Sequence, residues 1–245
     1  MIPLSDELPS RRTPWVNYTI IFVTIAVWFL IQGAGFDPVK LASSVCNLGL
    51  VPGELTHAAP LGTAVPIGYR LACVVDNSSI NWLTPLISIF LHGGWAHLLG
   101  NMLFLWVFGD NIEDAMGHGR YLFFYLLCGV VAAVTHVVMS PASPVPTVGA
   151  SGAISGVMGA YLVLYPNVRV RMLFIIFVAR IRAWMVLVYW FLLQLLEASS
   201  QMSPLRPEVS SGVAVWAHVG GFVTGLLLIK FFEKRELVAA HYPIR

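Results

Sequence analysis

Few side chains in this sequence stand where they could do chemistry. His92, His97, Asn101, His136, Ser151, Ser155, Gln194 and His218 all fall inside, or at the end of, long apolar runs. Polar groups at such depth are functional candidates by default, because each is costly to keep away from water. A serine beside a histidine, with spare hydrogen-bond donors near by, suits acyl transfer. The histidine takes the hydroxyl proton and the donors hold the oxyanion. His97 and Asn101 are four residues apart and share one helix face. His92 precedes His97 by five, about 140° round the same helix, and is expected to point elsewhere. Plain interhelical hydrogen bonding would explain the His97–Asn101 pair equally well.

Ser151 sits in Gly149-Ala150-Ser151-Gly152, just after Pro141, Pro144 and Pro146. The prolines keep residues 140–148 out of a helix, so Ser151 stands at or near a helix start. There the backbone N–H groups are free and the dipole end is positive, a setting that favours an oxyanion. Gly152 and Gly156 also read as a small-residue face that lets another helix approach closely. His218, in Ala217-His218-Val219-Gly220-Gly221 with Gly225 beyond, lies beside a second such face. Packing alone could account for both glycine rows. It does not account for a serine and a histidine placed on them.

The elements that would position these groups are membrane helices. The 245 residues are 58% hydrophobic and 11% charged, less than half the charge share of soluble domains, about 25%. The formal charge of +2 carries no nucleic-acid signal. Six segments approach the length of a span, about 20 residues: roughly 14–32, 92–112, 120–139, 151–165, 183–197 and 213–232. The fourth is short. A long Gly- and Pro-containing connection, 33–81, separates the first two, and 167–182 reads as a loop at the membrane surface, flanked by arginines. With the N-terminus inside, only Lys40, Arg70 and Arg206 of the fourteen Lys and Arg fall outside, a strong topological bias. That places both termini in the cytoplasm, with tails at 1–13 and 234–245 around a membrane domain at 14–233.

At about 1.5 Å per residue, Ser151, His218 and His97 each lie about 8 Å below the outer surface. Asn101 is one turn deeper. No carboxylate lies at that level, so a Ser–His dyad is expected, not a triad. HExxH is absent, which argues against a metalloprotease. No span carries a central Asp, which argues against an aspartyl protease. There is no metal-ligand cluster, and no cofactor is expected. Cys46 and Cys73 both fall in the outer connection and are a candidate disulfide.

His97-x-x-x-Asn101, Gly149-x-Ser151-Gly152 and Ala217-His218-x-x-Gly221-x-x-x-Gly225, in this order, resemble the rhomboid family of intramembrane serine proteases. The stretch 109–120, with Glu113 and Gly117, resembles that family's loop after the second span. The resemblance implies a six-transmembrane-helix all-α bundle with a short fourth helix and a long outer first loop. It implies Ser151 as nucleophile, His218 as base, and His97, Asn101 and the Ser151 N–H as oxyanion hole. Substrates would be transmembrane proteins cut near the outer face, in a bacterial plasma membrane, with membrane lipids and no nucleic acid as partners. A catalytically inactive relative that binds membrane clients, or a transporter, would lack one of these features or show repeated halves. The chain departs from the family at Trp82, which lacks a following Arg, and at Ser155, where some relatives stack an aromatic on the histidine.

Overall fold

The computed structural model describes residues 2–68, 70–76, 82–201 and 214–241. Val213, at the expected start of the last span, and Asn81, Arg206 and Arg245 lie outside the described residues. In chain order the elements are β1 (Ile2–Asp6), α1 (Trp15–Leu30), α2 (Pro38–Leu48), α3 (Pro52–Leu55), the hairpin β2 (Ala64–Gly68) and β3 (Leu71–Val74), then α4 (Thr84–Ile87). After these come α5 (Trp95–Met116), α6 (His118–Met139), α7 (Ser151–Leu164), β4 (Arg169–Phe174), β5 (Phe177–Arg182), α8 (Ala183–Gln201), α9 (Val215–Phe232) and α10 (Arg235–His241).

Among the described residues, α6, α8 and α9 are long and apolar enough to cross a membrane. A fourth candidate is the pair 84–90 and α5, bent by 91° at a short break. Helices α1 and α7 are apolar but shorter, at 16 and 14 residues. Apolar side chains such as Phe22, Leu30, Leu196, Leu227 and Phe231 face outward on these helices. That pattern fits a lipid solvent, where outward and inward faces are equally apolar.

Helix α7 is the centre. Nearly all its side chains are buried, and it packs chiefly on α9 and α6. The reason is glycine. A Cβ at Gly221 would run into the Gly152 carbonyl oxygen, and one at Gly225 into that of Gly156. Gly159 meets the Phe222 carbonyl in the same way. Missing side chains on both helices let the two backbones touch, as the two glycine rows predict.

The opposite end of the bundle is held by buried acids. Glu113 of α5 accepts the Val16 and Asn17 N–H groups at 3.0 and 2.7 Å, capping the start of α1 from another helix. Asp114 accepts the Arg11 N–H at 2.7 Å and Arg12 Nε at 2.8 Å. Residues 109–116, which straddle the expected end of the second span at 112, are the last two turns of α5. Only Gly117, with φ +83°, separates α5 from α6.

Two expectations are corrected here. Residues 167–182, read as a loop at the membrane surface, hold the antiparallel hairpin β4–β5. The residues expected as a free N-terminal tail supply β1, so that the sheet order is β1-β4-β5. The long connection 33–81 carries α2, α3, β2 and β3. A disulfide joins Cys46 of α2 to Cys73 of β3. This connection grips the chain before α7: Leu50 and Thr147 exchange two backbone hydrogen bonds, and Gly53 N–H donates to the Ser143 carbonyl at 2.8 Å.

Asp6 fixes β1 to the helices. Its carboxylate accepts Asn111 Nδ2 at 2.8 Å and the Tyr161 hydroxyl of α7. Burial pushes the Asp6 carboxyl up from 3.8 to about 7, against those stabilising bonds, with Asp110 adding to the rise. The folded state therefore binds the proton more tightly than the unfolded one between these values. Stability falls as pH rises across that window and levels off above it. Protection of residues 2–6 against hydrogen exchange, taken relative to the intrinsic amide rate at each pH, should be greater at pH 5.5 than at pH 8, and Asp6→Asn should remove most of that difference in protection. Separately, Gly221→Ala should lower stability in detergent by about 1–3 kcal/mol, the usual cost of overpacking, read by thermal unfolding. Gly119→Ala, at a helix position with open space around it, should cost nothing.

Candidate active site

Ser151 is the first residue of α7, preceded by Gly149 at φ +129°. That backbone conformation suits glycine alone. Gly149 N–H donates to the Ser88 carbonyl at 2.9 Å, anchoring the turn to the segment before α5. The first amides of α7 have no partner within the helix. The helix start borders a cavity of about 570 Å³ whose lining includes His97, Asn101, Gly149, Ser151 and His218. These are the residues that the three sequence motifs singled out.

The central contact joins two helices. His218 Nε2 of α9 lies 2.8 Å from Ser151 Oγ. On its other side, Nδ1 lies 2.7 Å from Gln194 Oε1 of α8. An amide oxygen only accepts, so Nδ1 carries the proton and Nε2 is left to accept from the serine hydroxyl. Trp190, one turn before Gln194, sets its ring 5.7 Å from the imidazole at a 41° tilt. Ser155, where an aromatic stands in some rhomboids, instead donates to the Ser151 carbonyl at 2.6 Å. The ring is thus supported from α8, by Gln194 and Trp190, and not from α7. Gln194 stood among the polar residues of the fifth span, but nothing in its spacing linked it to His218.

His97 and Asn101 project from α5 toward Gly149. A Cβ on Gly149 would meet His97 Nε2 and would lie 3.5 Å from Asn101 Nδ2. The two side chains therefore stand beside Gly149, two residues before Ser151, and line the same cavity as Ser151 and His218. His92 does not point elsewhere, as the helical wheel had it. Its Nε2 lies 2.8 Å from Asn101 Nδ2, and its ring packs edge-on to His97 with centroids 5.0 Å apart. The wheel failed because His92 is not in the helix: α5 begins at Trp95, after Gly93 and Gly94. The Gly-Gly pair was the available signal. Gln32 of the α1 end fixes the His92 backbone, exchanging bonds of 2.8 Å with its N–H and carbonyl.

Thr147, in the loop before α7, lies 3.0 Å from His136 Nε2 of α6. A second cavity, about 580 Å³, sits beside the Cys46–Cys73 disulfide and includes Glu54, His57 and Asp76 but no serine–histidine contact. No group of His, Cys, Asp and Glu that could hold a metal occurs among the described residues.

A Rhomboid domain model matches residues 79–235. Over 90 residues, 36% of this chain, the sequence is 43% identical to Rhomboid protease GluP of Bacillus subtilis. It is 30% identical to RHOMBOID-like protein 5 of Arabidopsis thaliana over 233 residues, 90% of this chain. It is 25% identical to Rhomboid-like protein 11, chloroplastic, of the same plant over 158 residues, 62% of this chain. The alignments cover 17%, 69% and 53% of those three proteins respectively. The chain thus spans less than two thirds of the first and the third.

Removing the Nδ1 acceptor should free the imidazole to rotate and change tautomer. Gln194→Leu should slow fluorophosphonate capture of Ser151 by about tenfold or more, a fraction of what a positioned base contributes. The His218 Nδ1–H resonance should vanish with it. An unchanged capture rate would mean that Trp190 alone holds the ring.

Proposed function

Since the chain belongs to the rhomboid family, we propose that it is an intramembrane serine endopeptidase working through Ser151 and His218. The observation that carries this reading is the 2.8 Å approach of His218 Nε2 to Ser151 Oγ, across two helices packed glycine on glycine. His218 accepts the hydroxyl proton while Ser151 Oγ attacks a substrate carbonyl. The oxyanion that forms is held by the Ser151 N–H, His97 and Asn101. His218 then gives its proton to the leaving amine, and water admitted to the cavity hydrolyses the acyl ester with the same base. No carboxylate and no cofactor take part.

The membrane arrangement belongs to the same proposal. Six segments span: α1, the bent pair through α5, α6, α7, α8 and α9, with residues 14–233 forming one catalytic domain. Both termini are cytoplasmic, and the connection 33–81 and the cavity lie toward the outer face of a bacterial plasma membrane. Support comes from the basic residues gathered at the β4–β5 end and from the short α7. At 14 residues this helix reaches only about 21 Å, which leaves its serine below the surface of a 30 Å core. Substrates are then transmembrane proteins. Their helices must unwind before a carbonyl can reach Ser151, because helical amides are satisfied internally. The competing reading, a relative that only retains membrane clients, draws no support from a site with both serine and histidine in place.

Purified protein in liposomes should cleave a model single-pass substrate. Ser151→Ala and His218→Ala should each abolish cleavage, and activity surviving either change would sink the assignment. The His97→Ala, Asn101→Ala double variant should lose about 10²–10³ in kcat, the usual cost of oxyanion donors. Full activity in that variant would refute the oxyanion role alone.

A further inference from the structure

The hairpin β4–β5 has two unlike faces. Paired residues share a face, and here Arg169 pairs with Arg182, Arg171 with Arg180 and Leu173 with Val178. On the other face Val170 and Met172 are buried in the core of the bundle. The outer face therefore carries four exposed arginines in two directly opposed pairs, followed by two apolar residues toward the tip. Like charges placed opposite each other across a ladder destabilise it. Glu7 relieves one of them, 3.3 Å from Arg180. Arg169, Arg171 and Arg182 form no ion pair among the described residues.

The tip is the reverse. Ile175 and Ile176 are 97% and 90% exposed, and Phe177 is 60% exposed. Phe174 and Phe177 stack across the turn with centroids 5.3 Å apart. Nothing of the described chain covers this cluster. Its position matters: β5 runs directly into α8, a candidate membrane span, so that Arg182 adjoins the first residue of that helix. Trp184, in the first turn of α8, is 42% exposed, a residue type that favours the headgroup level. From Arg182 to Ile176 is about 20 Å at strand rise. Pointed into water, the hairpin would expose a bare apolar tip. Laid along the interface, it places the tip in the acyl boundary and the arginines at the phosphates.

We propose that the β4–β5 hairpin is an interfacial anchor that binds anionic phospholipid headgroups through Arg169, Arg171, Arg180 and Arg182, with Ile175, Ile176 and Phe177 inserted among the acyl chains. The headgroup phosphodiester is the ligand. Guanidinium forks take its oxygens two at a time, and a row of such anions removes the repulsion within each arginine pair. The sheet also links the anchor to the active-site helix. β4 pairs with β1, and Asp6 of β1 bonds Tyr161 of α7. Lipid composition on this side is thereby connected to the element that carries Ser151.

This inference rests on the membrane reading above but not on catalysis, so its tests use lipid binding and can be run in Ser151→Ala protein. In detergent, titration with phosphatidylglycerol followed by native mass spectrometry should show retention of that lipid over phosphatidylcholine, weakening as salt is raised. Each basic residue near an anionic surface is worth about fivefold in affinity. Arg171→Gln with Arg180→Gln should therefore reduce the preference by about tenfold or more. The double Lys variant should keep most of the charge-driven part. An environment-sensitive fluorophore on Ile176→Cys, in a Cys128→Ser background, should report an apolar setting in nanodiscs of equal phosphatidylcholine and phosphatidylglycerol. Equal lipid retention by wild type and the double Gln variant, or a tip probe in water in those discs, would overturn the proposal. So would preferential capture of free inorganic phosphate or of an RNA oligomer over the lipid. Should the Gln variant unfold, the probe on the otherwise unaltered hairpin still decides.

Discussion

The approach of α7 to α9 sets the geometry of everything near Ser151. A hydrogen bond between side chains as short as Ser and His, from two different helices, demands that the helix axes lie unusually close. Only backbone-to-backbone contact allows it, and Gly152 and Gly156 against Gly221 and Gly225 provide that contact. In lipid no hydrophobic gain drives helices together, so packing and hydrogen bonding must do the work. The same glycines that bring His218 Nε2 to 2.8 Å from Ser151 Oγ therefore also hold α7 in the bundle. Fold and site meet at this seam: a methyl group at Gly221 or Gly225 would strike the facing backbone carbonyl and push apart the helices that carry His218 and Ser151.

The remaining elements fix what the seam leaves free. A helix start can rock about its own axis unless its preceding loop is tied down. Here that loop is held from three sides, by Leu50 through Thr147, by Ser88 through Gly149 and by His136 through the Thr147 side chain. At the far end Tyr161 bonds Asp6 and packs edge-on against Phe108. The buried acids of α5 serve a different purpose. Glu113 satisfies the first amides of α1 from outside that helix, a need that grows where water is scarce. These acids lie far from Ser151, which keeps their charge out of the site.

Much of the site was legible in the sequence because its constraints are local. Gly149-x-Ser151-Gly152 after three prolines specifies a helix start, and Gly221 and Gly225 specify a close face. Counting residues along each span predicts Ser151, His97 and His218 at one level, and all three line one cavity. What escaped depends on distant partners or on where a helix begins. Gln194 and Trp190 reach His218 from α8 with no periodic signal to announce it. His92 escapes the helical wheel because α5 starts at Trp95, three residues after it. The hairpin β4–β5 was hidden by its own composition: alternating Arg, Val, Arg and Met is a strand pattern, but arginines flanking a short apolar stretch also describe a surface loop. Its pairing with residues 2–6, more than 160 positions away, leaves no local trace.

The neutral support of His218 follows from the solvent. In a water-exposed protease a buried carboxylate beside the imidazole fixes its tautomer and offsets the charge it gains. At membrane depth an ionised Asp costs about 2.5–3.5 kcal/mol at the helix centre before it does anything useful. Gln194 fixes the same tautomer through Oε1 at 2.7 Å from Nδ1 with no charge to bury. It stabilises the imidazolium less than a carboxylate would, since hydrogen bonds to charged acceptors are about twice as strong. Trp190 makes up part of the difference: its ring lies 5.7 Å from the imidazole, within the range where an aromatic face attracts a cation. A cation that forms only during the proposed reaction draws on that attraction then and not in the resting state. An amide and an indole together thus hold the imidazole in place and in one tautomer without a permanent charge in the membrane.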